Sequence, residues 1–210
     1  MKVLHVSLEL FPFVKVGGIA DAVAALTRTL AAYGHRVTVA LPRREGVSLP
    51  AEAAPGVALA PLDVPELASG DLYGHDVMET VEEAARHARL SRAVLELVEA
   101  RARAGEPFDV VHVHDWPLAM IPYLLRARRA ASPGTRSVLT IHNVGFQGIV
   151  LPDALGLFGL GPEHLTEERL LFHGRASMLK GGLVAADALT TVSPAYARDL
   201  ATPEHGHLLD

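Results

Sequence analysis

The chain has 210 residues, half of them hydrophobic and 20% charged, with a formal net charge of −5 and no cysteine. That length and balance fit a soluble domain with a buried core and argue against disorder. Lys and Arg never gather into a dense run, which argues against nucleic acid as a partner, and the missing cysteines remove disulfides, thiolate chemistry and Cys-bound metals.

The opening run, MKVLHVSLEL, is interrupted by Glu9 and then Lys15 and has no small-residue cleavage site after it. No stretch approaches the length of a membrane-spanning helix, so the expectation is a cytoplasmic protein with no membrane partner. Lys2 to Leu8 reads as a buried strand ending in a polar, glycine-bearing loop. Ala, Val and Leu recur at helical spacing over 19–33, and Gly34 stops that helix. The run RVTVAL at 36–41, closed by Pro42, is a second strand and completes a βαβ unit.

From Arg43 to about Gly74, Pro50, Pro55, Pro61 and Pro65 break the pattern, and Val57 to Leu59 reads as either a brief strand or a loop. A long helix is expected from about Val77 to Ala104, then a strand over Phe108–Val113, a helix over Leu118–Ala130 and a strand over Ser137–Ile141. Residues 149–172 read as a loop carrying short helices. A helix from about His173 to Ala186, a strand over 188–192 and a helical turn after Pro194 follow. This alternation predicts an α/β fold: a Rossmann-like, doubly wound, mainly parallel sheet with helices on both faces, as one domain over 1–210. Ligands of such sheets bind at the carboxyl ends of the strands, where strand order reverses, so polar motifs directly after strands carry the functional reading.

Three motifs stand there. Lys15, Gly17, Gly18 and Asp21 lie between the first strand and first helix, where glycines allow close backbone approach and a helix N-terminus attracts an anion. The spacing is neither G-x-G-x-x-G nor a P-loop, which leaves a plain tight turn as the other reading. His112, His114, Asp115 and Trp116 end the next strong strand. Period two puts both imidazoles on one face, so the group reads as a metal site, a polar floor for a sugar, or ordinary core. Metal is the least favoured of the three, because a third ligand is not evident. Thr140, His142 and Asn143 leave the following strand into Gly145-Phe146-Gln147-Gly148, and so place donors and acceptors on the same rim.

Together these residues resemble the glycogen/bacterial starch synthase family of glycosyltransferases. Lys15 to Asp21 is similar to the family's Lys-x-Gly-Gly-Leu-Ala-Asp element, with Ile19 in place of Leu. His112 to Trp116 is similar to its His-x-His-Asp-Trp element, and Thr140 to Asn143 to its Thr-x-His-Asn element. The stretch from Phe172 to Ala197 also resembles the family pattern, so the likeness covers nearly the whole chain in order. It implies a GT-B fold, in which this chain is the N-terminal half and a second, nucleotide-binding domain is absent. It also implies transfer of glucose, with retention, from ADP-glucose or UDP-glucose to the non-reducing end of an α-1,4-glucan, with no cofactor and no metal.

By the same resemblance His142 and Asp115 are the catalytic candidates. Lys15, Gly17, Gly18, Asp21, His114, Trp116 and Asn143 are the substrate-binding candidates, with Lys15 and the glycines toward the donor phosphates. One half of a cleft is expected to be inactive or nearly so alone, and a separately encoded C-terminal domain is one partner that would complete it. The competing readings are a non-catalytic glucan- or sugar-nucleotide-binding module, a sucrose-type or mannosyl transferase, and a metal-dependent hydrolase using His112, His114 and Asp115. The face toward a second domain is expected to expose glycines and polar residues, with no large apolar patch.

Overall fold

A computed structural model describes residues 1–209. The chain runs β1 (Lys2–Val6), α1 (Ile19–Ala32), β2 (Arg36–Pro42), β3 (Glu52–Ala54) and β4 (Val57–Leu62). The middle holds α2 (Val81–Arg103), β5 (Val110–His114), α3 (Met120–Ala127) and β6 (Arg136–Ile141). The last third holds β7 (Ile149–Val150), β8 (Leu171–Phe172), β9 (Arg175–Ser177), α4 (Met178–Ala185), β10 (Ala188–Thr191) and α5 (Pro194–Leu200).

The main sheet has seven strands in the order β10-β6-β5-β1-β2-β4-β3, parallel throughout except where β3 meets β4. The chain steps outward from β1 to β2 on one side, and from β5 through β6 to β10 on the other. Strand order therefore reverses between β1 and β5, which opens a crevice beyond their carboxyl ends. The expected doubly wound, mainly parallel sheet is present.

Register decides which side chains meet. His5 pairs with His112 and Leu4 with Val111, so His5, His112 and His114 share one face while Leu4, Val6, Val111 and Val113 share the other. The aliphatic face packs on α2, α3 and α4 in the larger of two core clusters. On the opposite face α1 covers β2, where Val23 and Ala24 meet Val37, Val39 and Leu41.

Several boundaries differ from those read along the chain, each for a local reason. Val57 belongs to a six-residue strand, because parallel pairing with β2 runs from Val37–Val57 to Pro42–Leu62. Pro61 is tolerated there because β3 pairs only with residues Val57 and Ala58, so no ladder bond is demanded of its missing N–H. α2 starts at Val81 rather than Val77. Thr80 and Glu83 form a reciprocal capping box, and Val77 is spent on a bridge to Ile149.

The expected helix over Leu118–Ala130 is split into a 3-10 turn at Trp116–Leu118, α3, and a second 3-10 turn at Arg129–Ala131. The expected helix from His173 begins only at Met178. His173 and Gly174 turn a hairpin at positive φ, and Ser177 caps α4 by accepting the Lys180 amide. That hairpin and β7 make a separate sheet in the order β7-β9-β8, built from strands of two or three residues. Such pieces are too short to announce themselves by periodicity.

Candidate active site

The crevice at the strand reversal is a cleft of about 630 Å³ whose lining includes Glu9, Gly18, Asp76, Asp115, His142 and Asn143. Three carboxylates each accept two consecutive backbone amides around it, one in the loop after β1 and two at the ends of the loop between β6 and β7. Glu9 Oε2 takes Val16 N at 2.6 Å and Gly17 N at 2.8 Å. Asp115 Oδ1 takes His142 N at 2.5 Å and Asn143 N at 3.2 Å. Asp76 Oδ1 takes Gln147 N and Gly148 N, both at 2.6 Å. Charge-assisted bonds to paired amides are short and strong, so the rim is set before any ligand arrives.

Glu9 is 1% exposed and its other oxygen accepts the Tyr73 hydroxyl. Burial and that bond push the Tyr73 phenol well above its ordinary range, so it stays protonated and donating. The Glu9 clamp also alters the expected role of the glycine loop. The Gly17 N–H points at Glu9, not into the cleft, whereas Gly18 is the N-cap of α1 and supplies no side-chain cap. An anion is therefore offered the first-turn amides of α1 from Gly18 onward. Lys15 and Asp21 are not among the residues that line the cleft; Lys15 precedes the lining residue Val16, is half exposed, and pairs with the equally exposed Asp21 at 2.7 Å. An exposed pair of this kind contributes only ~0–1 kcal/mol, so it holds Lys15 ready without immobilising it.

Asp115 follows β5 with φ at 59° and ψ at −179°, a backbone region that favours glycine. A non-glycine residue persists there only where its surroundings over-determine it, and the two amides bound to its carboxylate do so. Burial pushes the Asp115 carboxyl above its usual range, against the opposing pull of the His142 and Asn143 amides. Burial lowers His142, while Asp115 and Glu9 pull it back up. Asn143 Oδ1 accepts Gly145 N at 3.0 Å and so shapes the turn as well as the rim.

The structure buries His114 and Trp116. His114 is 4% exposed and lies beneath His142, its Nδ1 3.1 Å from His142 Nε2. It supports the wall from behind, because its side chain points inward at the end of β5. Trp116 touches the cleft lining but is 96% buried and packs on His87, with ring centroids 5.0 Å apart. Most of the ring is therefore core, and only a small part of it reaches the cleft lining. The rim is also less polar than expected, since Val16, Phe146 and Val192 line it with exposed apolar side chains.

His5 joins the two histidines of β5. Ligating nitrogens of His5, His112 and His114 all lie within 4.8 Å of one another. Burial lowers His5 to about 3 and His112 to about 4, and holds His114 well below its ordinary value, so all three are neutral near pH 7. Most of their nitrogens are already committed, however: both of His114 to other histidines, and His112 Nε2 to Thr140 Oγ1 at 2.5 Å. A metal ion would have to displace those partners.

Sequence reasoning missed four of these groups. Glu9 carries a signal, being an acidic residue in an otherwise apolar run, but nothing local says that it clamps a loop seven residues on. His5 is a lone histidine in a buried strand, and only the register shows that it faces His112. Tyr73 and Asp76 sit in an irregular stretch far along the chain and had no local signal.

A doubly wound, mainly parallel sheet with a cleft at its strand reversal is a fold of the GT-B glycosyltransferase type. The catalytic domain of starch synthase IV from Arabidopsis thaliana, solved bound to ADP and acarbose, superposes with a TM-score of 0.82 at 25% identity, over 98% of this chain and 47% of that one. A sucrose-phosphate synthase from Thermosynechococcus elongatus shares the fold, with a TM-score of 0.60 at 18% identity over 95% of this chain and 44% of its own.

Residues 2–210 match the family model of the starch synthase catalytic domain, and the chain belongs to that family. The glycogen synthase of Bacillus subtilis is 36% identical over all of this chain and 48% of its own length. That of an Anaeromyxobacter species is 37% identical over all of this chain and 49% of its own. The chain thus spans about half the length of the curated relatives it matches. Among the described residues, no helix is long and apolar enough to cross a membrane.

Proposed function

We propose that the chain forms the N-terminal wall of a glycogen/starch synthase cleft, which transfers glucose from ADP-glucose to the non-reducing end of an α-1,4-glucan with retention. The observation that carries this reading is the clamped cleft at the β1/β5 reversal in a chain that matches the family over 2–210. The ADP and acarbose bound by the Arabidopsis relative support a nucleotide-sugar donor and a glucan acceptor, with UDP-glucose as the alternative donor.

In this reading Lys15 and the α1 amides from Gly18 face the donor diphosphate, where leaving-group charge develops. Gly17 gives its N–H to Glu9 and keeps the loop tight enough for that approach. His142 donates to the transferring glucose, Asp115 fixes His142 in place, and Asn143 and Asp21 stand at the rim for hydroxyls. A second domain, whether in the same polypeptide or separately encoded, supplies the opposite wall and most of the base pocket. Positioning by both walls accounts for much of the rate.

The test is incorporation of labelled glucose from ADP-glucose into glycogen, by the chain alone and by the chain fused to the C-terminal half of the Bacillus subtilis relative. Transfer by the fusion, reduced tenfold or more by Lys15→Ala, is expected. Lys15→Ala itself should shift stability by no more than about 0.5 kcal/mol, because the lysine is a surface side chain. Glucan binding without transfer by a folded fusion would leave a binding module instead, and preference for GDP-mannose would sink the synthase reading.

A further inference from the structure

Three imidazoles run in a line from the core to the cleft. His5 Nδ1 lies 3.5 Å from His114 Nε2, and His114 Nδ1 lies 3.1 Å from His142 Nε2. The ring centroids are 5.8 Å apart in the first pair and 5.3 Å in the second. Contacts that short between centroids that far apart require the nitrogens to point almost straight at each other, which is hydrogen-bond geometry and not ring stacking.

Burial keeps His5 and His114 neutral, so each carries a single ring N–H. Two neutral imidazoles can share a hydrogen bond in only two ways, and in a chain of three the choice at one end dictates the other. Either every ring is protonated at Nε2, or every ring is protonated at Nδ1.

The inner end decides between them. His5 Nε2 is fully buried and has no partner among the described residues. With every ring protonated at Nε2, that atom would be a buried N–H with nothing to accept it. Orphaned buried N–H groups are rarer in folded proteins than unpaired acceptors. The outer end agrees. His142 opens on a cleft that Glu9 and Asp115 also line, and both carboxylates favour positive charge on His142. With His142 Nε2 turned to His114, Nδ1 is the ring nitrogen left for the cleft.

We infer that His5 and His114 are positioning residues that hold His142 as its Nδ1–H tautomer, so that it presents a hydrogen-bond donor to a sugar oxygen in the cleft. The tautomer follows from the protein alone; its use on a sugar rests on the function proposed above. Free histidine favours Nε2–H in water, so three Nδ1–H rings in a row is a distinctive signature.

Long-range proton–nitrogen NMR on the 15N-labelled 210-residue chain near neutral pH reads it directly. The expected result is a pyrrole-type Nδ1 and a pyridine-type Nε2 on His5, His114 and His142 alike. Pyrrole-type Nε2 on His142 in the wild-type chain would overturn the inference, and this measurement needs no variant. In His114→Leu, His142 should lose the signature and move toward the solvent mixture, whereas in His114→Asn the amide can replace the donor and restore it. Retention of Nδ1–H in folded His114→Leu would assign the tautomer to the cleft carboxylates and overturn the relay. A confirmed signature in a chain whose fusion transfers no glucose would refute the proposed function and leave the relay standing.

Discussion

Asp115 Oδ1 lies 2.5 Å from the backbone nitrogen of His142, so the side chain that ends β5 holds the main chain that leaves β6. The two strands are parallel neighbours in register, with His114 beside Thr140, which brings the following residues within reach. The same residue carries a glycine-favouring backbone at φ 59°. Asp115→Ala and Asp115→Gly both strip the acceptor from two amides, at a cost of about 1–3 kcal/mol. Only the glycine relieves the backbone, so Asp115→Gly should be the more stable of the two by about 1 kcal/mol. Urea midpoints measure this, and the reverse order would show that the positive φ does not persist in solution.

Glu9 and Tyr73 make a second test of the clamped rim. Glu9→Ala removes the acceptor from Val16 and Gly17, and exchange of those two amides should rise roughly 5- to 150-fold, since a clamp of this kind is worth about 1–3 kcal/mol. Tyr73→Phe removes only the brace on the far oxygen and should produce a smaller rise. Hydrogen exchange resolved at residues 16 and 17 separates the two. Equal effects would mean that Glu9 holds the loop only when Tyr73 holds Glu9.

Gly182 is required by a close approach. A Cβ built there would lie 2.7 Å from the Ala119 carbonyl oxygen, 2.8 Å from Ala119 Cβ and 2.9 Å from a Leu139 methyl. The backbone oxygen has nowhere to go without moving the turn that follows Trp116. Gly182→Ala should therefore cost about 1–3 kcal/mol, despite the helix preference for alanine, and lower Tm by roughly 3–10 °C. Gly181→Ala meets mainly a flexible Leu170 methyl and should cost less. Calorimetry on the pair decides the matter, and equal melting points would refute the packing argument.

Acid should unfold the chain early. His5 and His87 are lowered to about 3 and His112 to about 4, from an ordinary value of 6.5, chiefly by burial. Below pH 6.5 the unfolded chain takes up protons that the native chain refuses, so stability is full above that pH and falls as pH drops toward 4. Each histidine still neutral in the native state costs about 1.4 kcal/mol per pH unit in that window. Urea titrations from pH 7 to pH 4.5 should show a steep loss. His87→Phe, which removes one such group and keeps a ring against Trp116, should flatten the slope by close to one proton. An unchanged slope would mean that His87 is charged in the native state.

Much of the fold was legible in the chain because its signals are local. The Val- and Leu-rich runs at residues 2–8, 36–41 and 137–141 hold strands β1 (ending at Val6), β2 and β6, and Gly34 ends α1 at positive φ. The rim motifs followed from one rule, that ligands collect after parallel strands, and Gly18, Asp115, His142 and Asn143 do line one cleft.

Strand order was decided by tertiary structure alone, since a strand's own residues do not name its neighbours. Register made His5 the partner of His112, and so turned a lone histidine in one strand and two in another into a file that reaches His142. Likewise, the amides claimed by Glu9, Asp76 and Asp115 lie between 7 and 72 residues away in sequence. Periodicity reports only how a segment faces the core, whereas a clamp or a relay depends on which segments are brought side by side.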